Sequence, residues 1–120
     1  EDKKVTASPE RLYVSGDGTR VCTDGGWKEV KVGAVYETEA VKDKAGKTEI
    51  KARNMTYLSS FTDCHKFGEY LWSEAYQRGV DKAGEVIFIG DGAVWLWDIQ
   101  RTHFPKAIGI LDWYHASEHV

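Results

Sequence analysis

EVIFIGDGAVWLWDIQRTHF, residues 85–104, is the stretch on which the fold turns. Val86, Ile87, Phe88 and Ile89 form an unbroken apolar run rich in β-branched residues, the pattern of a strand buried on both faces as in a parallel sheet. The run meets a single acid, Asp91, held between Gly90 and Gly92. Beyond it the period changes. Trp95, Ile99 and His103 recur at i, i+4 and i+8 with Leu96 and Phe104 beside them, so residues 93–104 read as a short amphipathic helix ended near Pro105. A buried strand that passes through a carboxylate into a helix is a unit of an α/β sheet.

Working outward, KAIGILDWY (106–114) is a second apolar run that closes on an acid, Asp112. On the other side, Phe67, Tyr70, Leu71, Trp72 and Ala75 fall at helical intervals, with Thr62 or Asp63 as the N-cap and Gly79 as the stop. RLYVSGDGTRV (11–21) places Leu12 and Val14 on alternate positions before Gly16, Asp17 and Gly18, which reads as a strand reaching a polar bend, with Asp17 at or near its end. DGGW (24–27) is a turn signal. After it Val30, Val32, Ala34 and Tyr36 alternate with Lys28, Glu29, Lys31 and Gly33, as in an antiparallel hairpin. Residues 37–54 are charged, contain Ala45-Gly46 and read as an exposed excursion, and NMTYLSSF (54–61) offers a third short strand. The expected order is β-β-β-α-β-α-β.

At 120 residues the chain fits one domain, large enough to bury a core. Residues 1–10 read as a linker from an upstream region and 11–120 as the domain. Sixteen basic against nineteen acidic side chains leave a formal net charge of -3, which excludes the overall basic footprint of a dedicated nucleic-acid-binding domain and requires any DNA grip to be local. Cys22 and Cys64 stand in no C-x-x-C pair, so neither a zinc knuckle nor a disulfide framework is indicated, and a reducing, cytosolic setting fits. No apolar run has the ~18 residues of a membrane span, and no signal peptide opens the chain.

Asp17, Asp91 and Asp112 each close a strand that the pattern marks as central. Ligands of α/β sheets gather at the carboxyl ends of such strands. Carboxylates converging there repel one another unless a hard divalent cation intervenes, and oxygen ligands with open water positions suit Mg²⁺ or Mn²⁺. The flanking glycines, lacking a Cβ, let a backbone or a phosphodiester pass close.

The order of elements, together with GDGTRV, IFIGDGAVWLW, HFPKAIGILDWYH and the closing HASEHV, resembles the RNase H-like catalytic core of DDE-type transposases of bacterial insertion sequences, with similarity to Mutator-like elements. The resemblance runs from residue 11 onward. It implies an RNase H-like mixed α/β sheet and two-metal phosphoryl transfer, that is, phosphodiester hydrolysis and DNA strand transfer with two Mg²⁺ or Mn²⁺ ions. Asp17 would be the first acid of the set and bridge both ions, and Asp91 the second, holding one. Asp112 and His115 match the Asp-or-Cys, two residues, His motif of such enzymes, an accessory of the active site rather than its third acid. The family's last acid, a Glu on a later helix, has no counterpart here, so the sequence reads as the amino-terminal part of a core, truncated before the last catalytic helix. The implied partners are double-stranded DNA with terminal inverted repeats and further copies of the full-length protein. The implied location is the bacterial cytoplasm at the nucleoid, with no membrane.

Other readings use the same residues. An RNase H-like nuclease or resolvase would use the acids for hydrolysis alone, and a catalytically dead interaction domain would not use them. HASEH (115–119) also matches the H-x-x-E-H zinc-peptidase motif, in which two histidines one turn apart bind zinc. Against that reading, the third ligand is missing and His115 sits at a strand end. His65 reads as a helix-surface residue and His103 as one packing on the sheet. Trp95 reads as core, and base stacking is the minority reading for Trp97 and Trp113. Lys42, Lys44, Lys47 and Lys51 alternate with Glu39, Asp43 and Glu49, as on a solvated face.

Overall fold

The computed structural model describes residues 9–112. Three strands come first, β1 (Arg11–Thr23), β2 (Gly26–Lys42) and β3 (Thr48–Ser60), then helix α1 (Cys64–Gln77), a single 3₁₀ turn at Val80–Lys82, strand β4 (Glu85–Gly90), helix α2 (Val94–His103) and strand β5 (Ile108–Leu111). They form one five-stranded sheet in the spatial order β3-β2-β1-β4-β5. β1–β2 and β2–β3 are antiparallel, whereas β1–β4 and β4–β5 are parallel. The protein is therefore a mixed α/β sheet with two helices.

Alternation along β1 sets which face is covered. Leu12 and Val14 are fully buried, as are Val35 of β2 and Phe88 of β4, and they pack against Phe67, Leu71 and Ala75 of α1 and Leu96 and Ile99 of α2. Two glycines let the helices approach. A Cβ on Gly16 would sit 2.4 Å from Leu96 Cδ2, and one on Gly33 would sit 3.0 Å from both Leu71 and Phe67. Gly16 and Gly33 are directly opposite in the β1–β2 ladder, so both helices lie on the same face of the sheet. The opposite face carries Tyr13, Ser15 and Asp17 of β1, and Tyr13 stacks on Tyr36 of β2 with ring centroids 5.2 Å apart. Among the described residues no helix covers that face.

Local chemistry fixes the helix ends. The Asp63 side chain accepts a hydrogen bond from the Lys66 amide at 2.9 Å, satisfying one of the free amides of the first turn of α1. At the other end Gly79 takes φ 89°, the left-handed conformation that glycine adopts without penalty. The residue before it, Arg78, is 1% exposed. Its guanidinium donates to the Val35 carbonyl at 3.3 Å and the Thr56 hydroxyl at 2.9 Å, and it faces Glu37 at 3.5 Å. These partners flank an irregularity in the β2–β3 register between Val35 and Glu37, where Asn54 takes φ 57°. The buried cation thus ties the end of α1 to the place where the two strands bend.

Four expectations change. Residues 37–54 are not a loop excursion: β2 and β3 run through them as a long ribbon, with Asp43 Oδ1 accepting from the Ala45 and Lys47 amides at the turn. Asp17 does not end its strand but lies within β1, because the turn falls later, between Thr23 and Gly26. β5 is an edge strand, not a central one, and Ile108, Ile110 and Leu111 are exposed. His103 packs on α1 rather than on the sheet, since a Cβ on Gly68 would meet its ring at 3.1 Å.

Candidate active site

The register of the sheet aligns the three acids. The last pair of the β1–β4 ladder is Ser15 opposite Ile89, and Asp17 and Asp91 each lie two residues farther on. The last pair of the β4–β5 ladder is Gly90 opposite Leu111, and Asp91 and Asp112 each follow by one. The Asp112 amide continues that ladder, donating to the Gly90 carbonyl at 2.7 Å. Asp17, Asp91 and Asp112 therefore stand at one level across three neighbouring strands, whose backbones are about 4.8 Å apart in such ladders.

All three line one open cleft of ≈ 220 Å³. Ser15, Val32, Ala34, Tyr57 and Ile89 form most of the remaining wall, which is largely apolar. Asp91 is the deepest acid at 4% exposure. Its Oδ1 accepts from the Ala93 amide at 3.0 Å, and Gly92, at φ 96°, makes the turn that brings the chain round into α2. Asp17 Oδ1 accepts from the Gly18 amide at 2.8 Å. Each acid is thus oriented by an amide of its own loop or strand.

The flanking glycines have another use than the one expected from their missing side chains. Gly16 makes room for Leu96, Gly18 for the Glu29 side chain, and Gly90 packs against Leu96 and Trp97. They admit α2 and β2 side chains on the helical face, while the acids point to the other.

Hard carboxylate oxygens in a row fit Mg²⁺ or Mn²⁺. Among the described residues, no three His, Cys, Asp or Glu side chains gather into a set that could hold an ion by themselves.

The remaining candidates are scattered. His115, His119 and Trp113 lie outside the described residues. His65 is exposed on α1. Trp95 meets Phe67 edge-on at 6.1 Å, with Lys31 Nζ 5.5 Å from its ring centroid. Trp97 is partly buried against Phe88 and over Gly109 of β5. Lys42, Lys44, Lys47 and Lys51 are exposed on the β2–β3 ribbon, where Lys51 pairs with Glu49 at 3.9 Å. Cys22 and Cys64 are free thiols.

Two features escaped the sequence reading. Tyr57 stands in the cleft wall and is 76% exposed. The alternation of Tyr57 and Ser59 in NMTYLSSF carried that signal, since it sets both on one face of β3. The Arg78–Glu37 pair gave no such signal, because a charged residue beside a helix-stopping glycine reads as a surface cap. Among the described residues no helix is long and apolar enough to cross a membrane. Comparison with protein-family models gives no match to the chain, and comparison with curated proteins gives none either.

Proposed function

We propose that this chain belongs to an RNase H-like DNA transposase core, in which Asp17 and Asp91 hold the divalent cations of a phosphodiester-cleaving and strand-transferring site. The observation that carries the reading is the register: Asp17 within β1 and Asp91 just past β4 each follow the last pair of the parallel β1–β4 ladder by two residues, and both line one cleft. The five-stranded mixed sheet with two helices is compatible with that reading.

When bound, Mg²⁺ or Mn²⁺ would supply activation of a water or a DNA 3′-hydroxyl and stabilisation of the leaving oxygen. The chain's own part is positioning. Asp17, half-buried within β1, and Asp91, buried at the end of β4, offer carboxylates from a rigid sheet. The Gly18 and Ala93 amides hold them in place, so little ordering remains when a ligand arrives. Asp112, the residue that follows the edge strand β5, lines the same cleft and would serve as the accessory acid. Val32, Ala34 and Ile89 supply an apolar wall beside the acids.

The test is a cleavage-and-joining assay in Mg²⁺, with the natural full-length protein and duplex DNA ending in its own terminal inverted repeats. Both cleaved and joined products are expected, with Asp17→Asn and Asp91→Asn each reducing both to background. Hydrolysis without joining would leave a nuclease and overturn the transposase reading. Full activity in either variant would overturn the site.

A further inference from the structure

The cleft has two unlike ends, and a nucleotide has the same two chemistries. One row across the open face contains Val32 and Asp17, and the level of that row continues to Asp91 and Asp112. The neighbouring row, two residues along the strands, runs Tyr57, Ala34, Ser15, Ile89, Ile110 through successive ladder pairs. From strand rise and spacing, the Tyr57 and Asp17 Cα atoms are about 12 Å apart. Both residues line the same cleft.

Among the described residues Tyr57 is the aromatic side chain that this cleft presents to solvent, at 76% exposure, while Trp95 and Trp97 are engaged with Phe67 and Phe88. An exposed ring across an apolar wall from a carboxylate row is a poor site for duplex DNA, whose bases are stacked inside the helix. It suits a base that has left its stack, because every base offers a π-face and stacking is tolerant of sequence.

We propose that the cleft takes one unpaired nucleotide next to the reacting phosphate, with its base stacked on Tyr57 and its phosphate directed to the cations held by Asp17 and Asp91. The inference rests on the metal-dependent reading of the acids. It adds that the substrate is locally single-stranded at the site, and that β3 supplies a base contact.

The probe is a short single-stranded deoxyoligonucleotide containing one 2-aminopurine, titrated against the full chain in Mn²⁺, with Mn²⁺ binding followed separately by electron paramagnetic resonance. Binding should quench the 2-aminopurine emission. Tyr57→Ala should weaken oligonucleotide binding about tenfold, in line with base–aromatic stacking, and abolish the quenching. Tyr57→Phe, which keeps the ring, should stay within about twofold of the parent. Mn²⁺ affinity should be the same in all three proteins. If Tyr57→Ala binds the oligonucleotide as the parent does, or if the parent binds Mn²⁺ but no oligonucleotide, the base contact is wrong and the metal reading stands. If the parent binds no Mn²⁺, the metal reading itself fails.

Discussion

Gly16 shows how closely packing and chemistry are interleaved at the level of single residues. It separates Ser15 from Asp17, both on the open face, while its own missing Cβ is filled by Leu96 from the helical face, 2.4 Å from where that atom would be. Leu96 is fully buried among Phe88 and its neighbours, so it cannot swing away without leaving a void. Gly16→Ala should therefore destabilise the fold by about 1–3 kcal/mol, the usual cost of overpacking a core. Urea unfolding would measure this, and a change within about 0.5 kcal/mol would show that α2 is free to shift. The two GDG triplets were legible as special in the sequence, and Asp91 was read where it lies. The purpose of the glycines was not legible, because nothing local says which face of a strand a later helix will cover.

At the scale of elements, α1 owes its start to one carboxylate. Asp63 has its pKa lowered from the ordinary 3.8, chiefly by the hydrogen bond from the Lys66 amide. A folded-state pKa below the unfolded one means a contribution to stability that is fully present above about pH 4 and is lost as pH falls through the folded value. The parent should accordingly be more stable than Asp63→Ala at neutral pH, with the gap closing in acid. Asp63→Asn keeps a capping oxygen and should lack most of that pH dependence. Thermal melts from pH 7 to pH 2 would check this, and a gap that does not change with pH would contradict it. The N-cap and the stop at Gly79 were readable because each rests on contacts within a few residues, and the strand Glu85–Gly90 because its unbroken apolar run marks a buried strand whatever its partners. The ribbon through residues 37–54 was not. A two-stranded ribbon beyond the core has solvent on both faces, so no apolar alternation is demanded and its charges imitate a loop. Arg78 was hidden for a related reason: its partners Val35, Glu37 and Thr56 lie about forty and twenty residues away in the chain.

For the whole molecule, the sheet has one face sealed by α1 and α2 and another that carries the acids, the Tyr13–Tyr36 stack and Tyr57. That division follows from β1, whose even positions Leu12, Val14 and Gly16 serve the core while its odd positions lead to Asp17. The sequence disclosed that three strands carry acids. It did not disclose that Asp17 lies within its strand, that β5 is an edge, or that all three acids share one level, because register is a property of pairing rather than of any single strand. The account depends on Asp17 and Asp91 sharing a cation. The direct measurement is anomalous diffraction from crystals of the protein soaked in Mn²⁺. A manganese peak is expected in the cleft with carboxylate oxygens of both Asp17 and Asp91 at about 2.1 Å, the usual length for a hard dication of this size. Manganese bound elsewhere with the cleft empty at saturation, or the two carboxylates turned to opposite rims of the sheet, would contradict it.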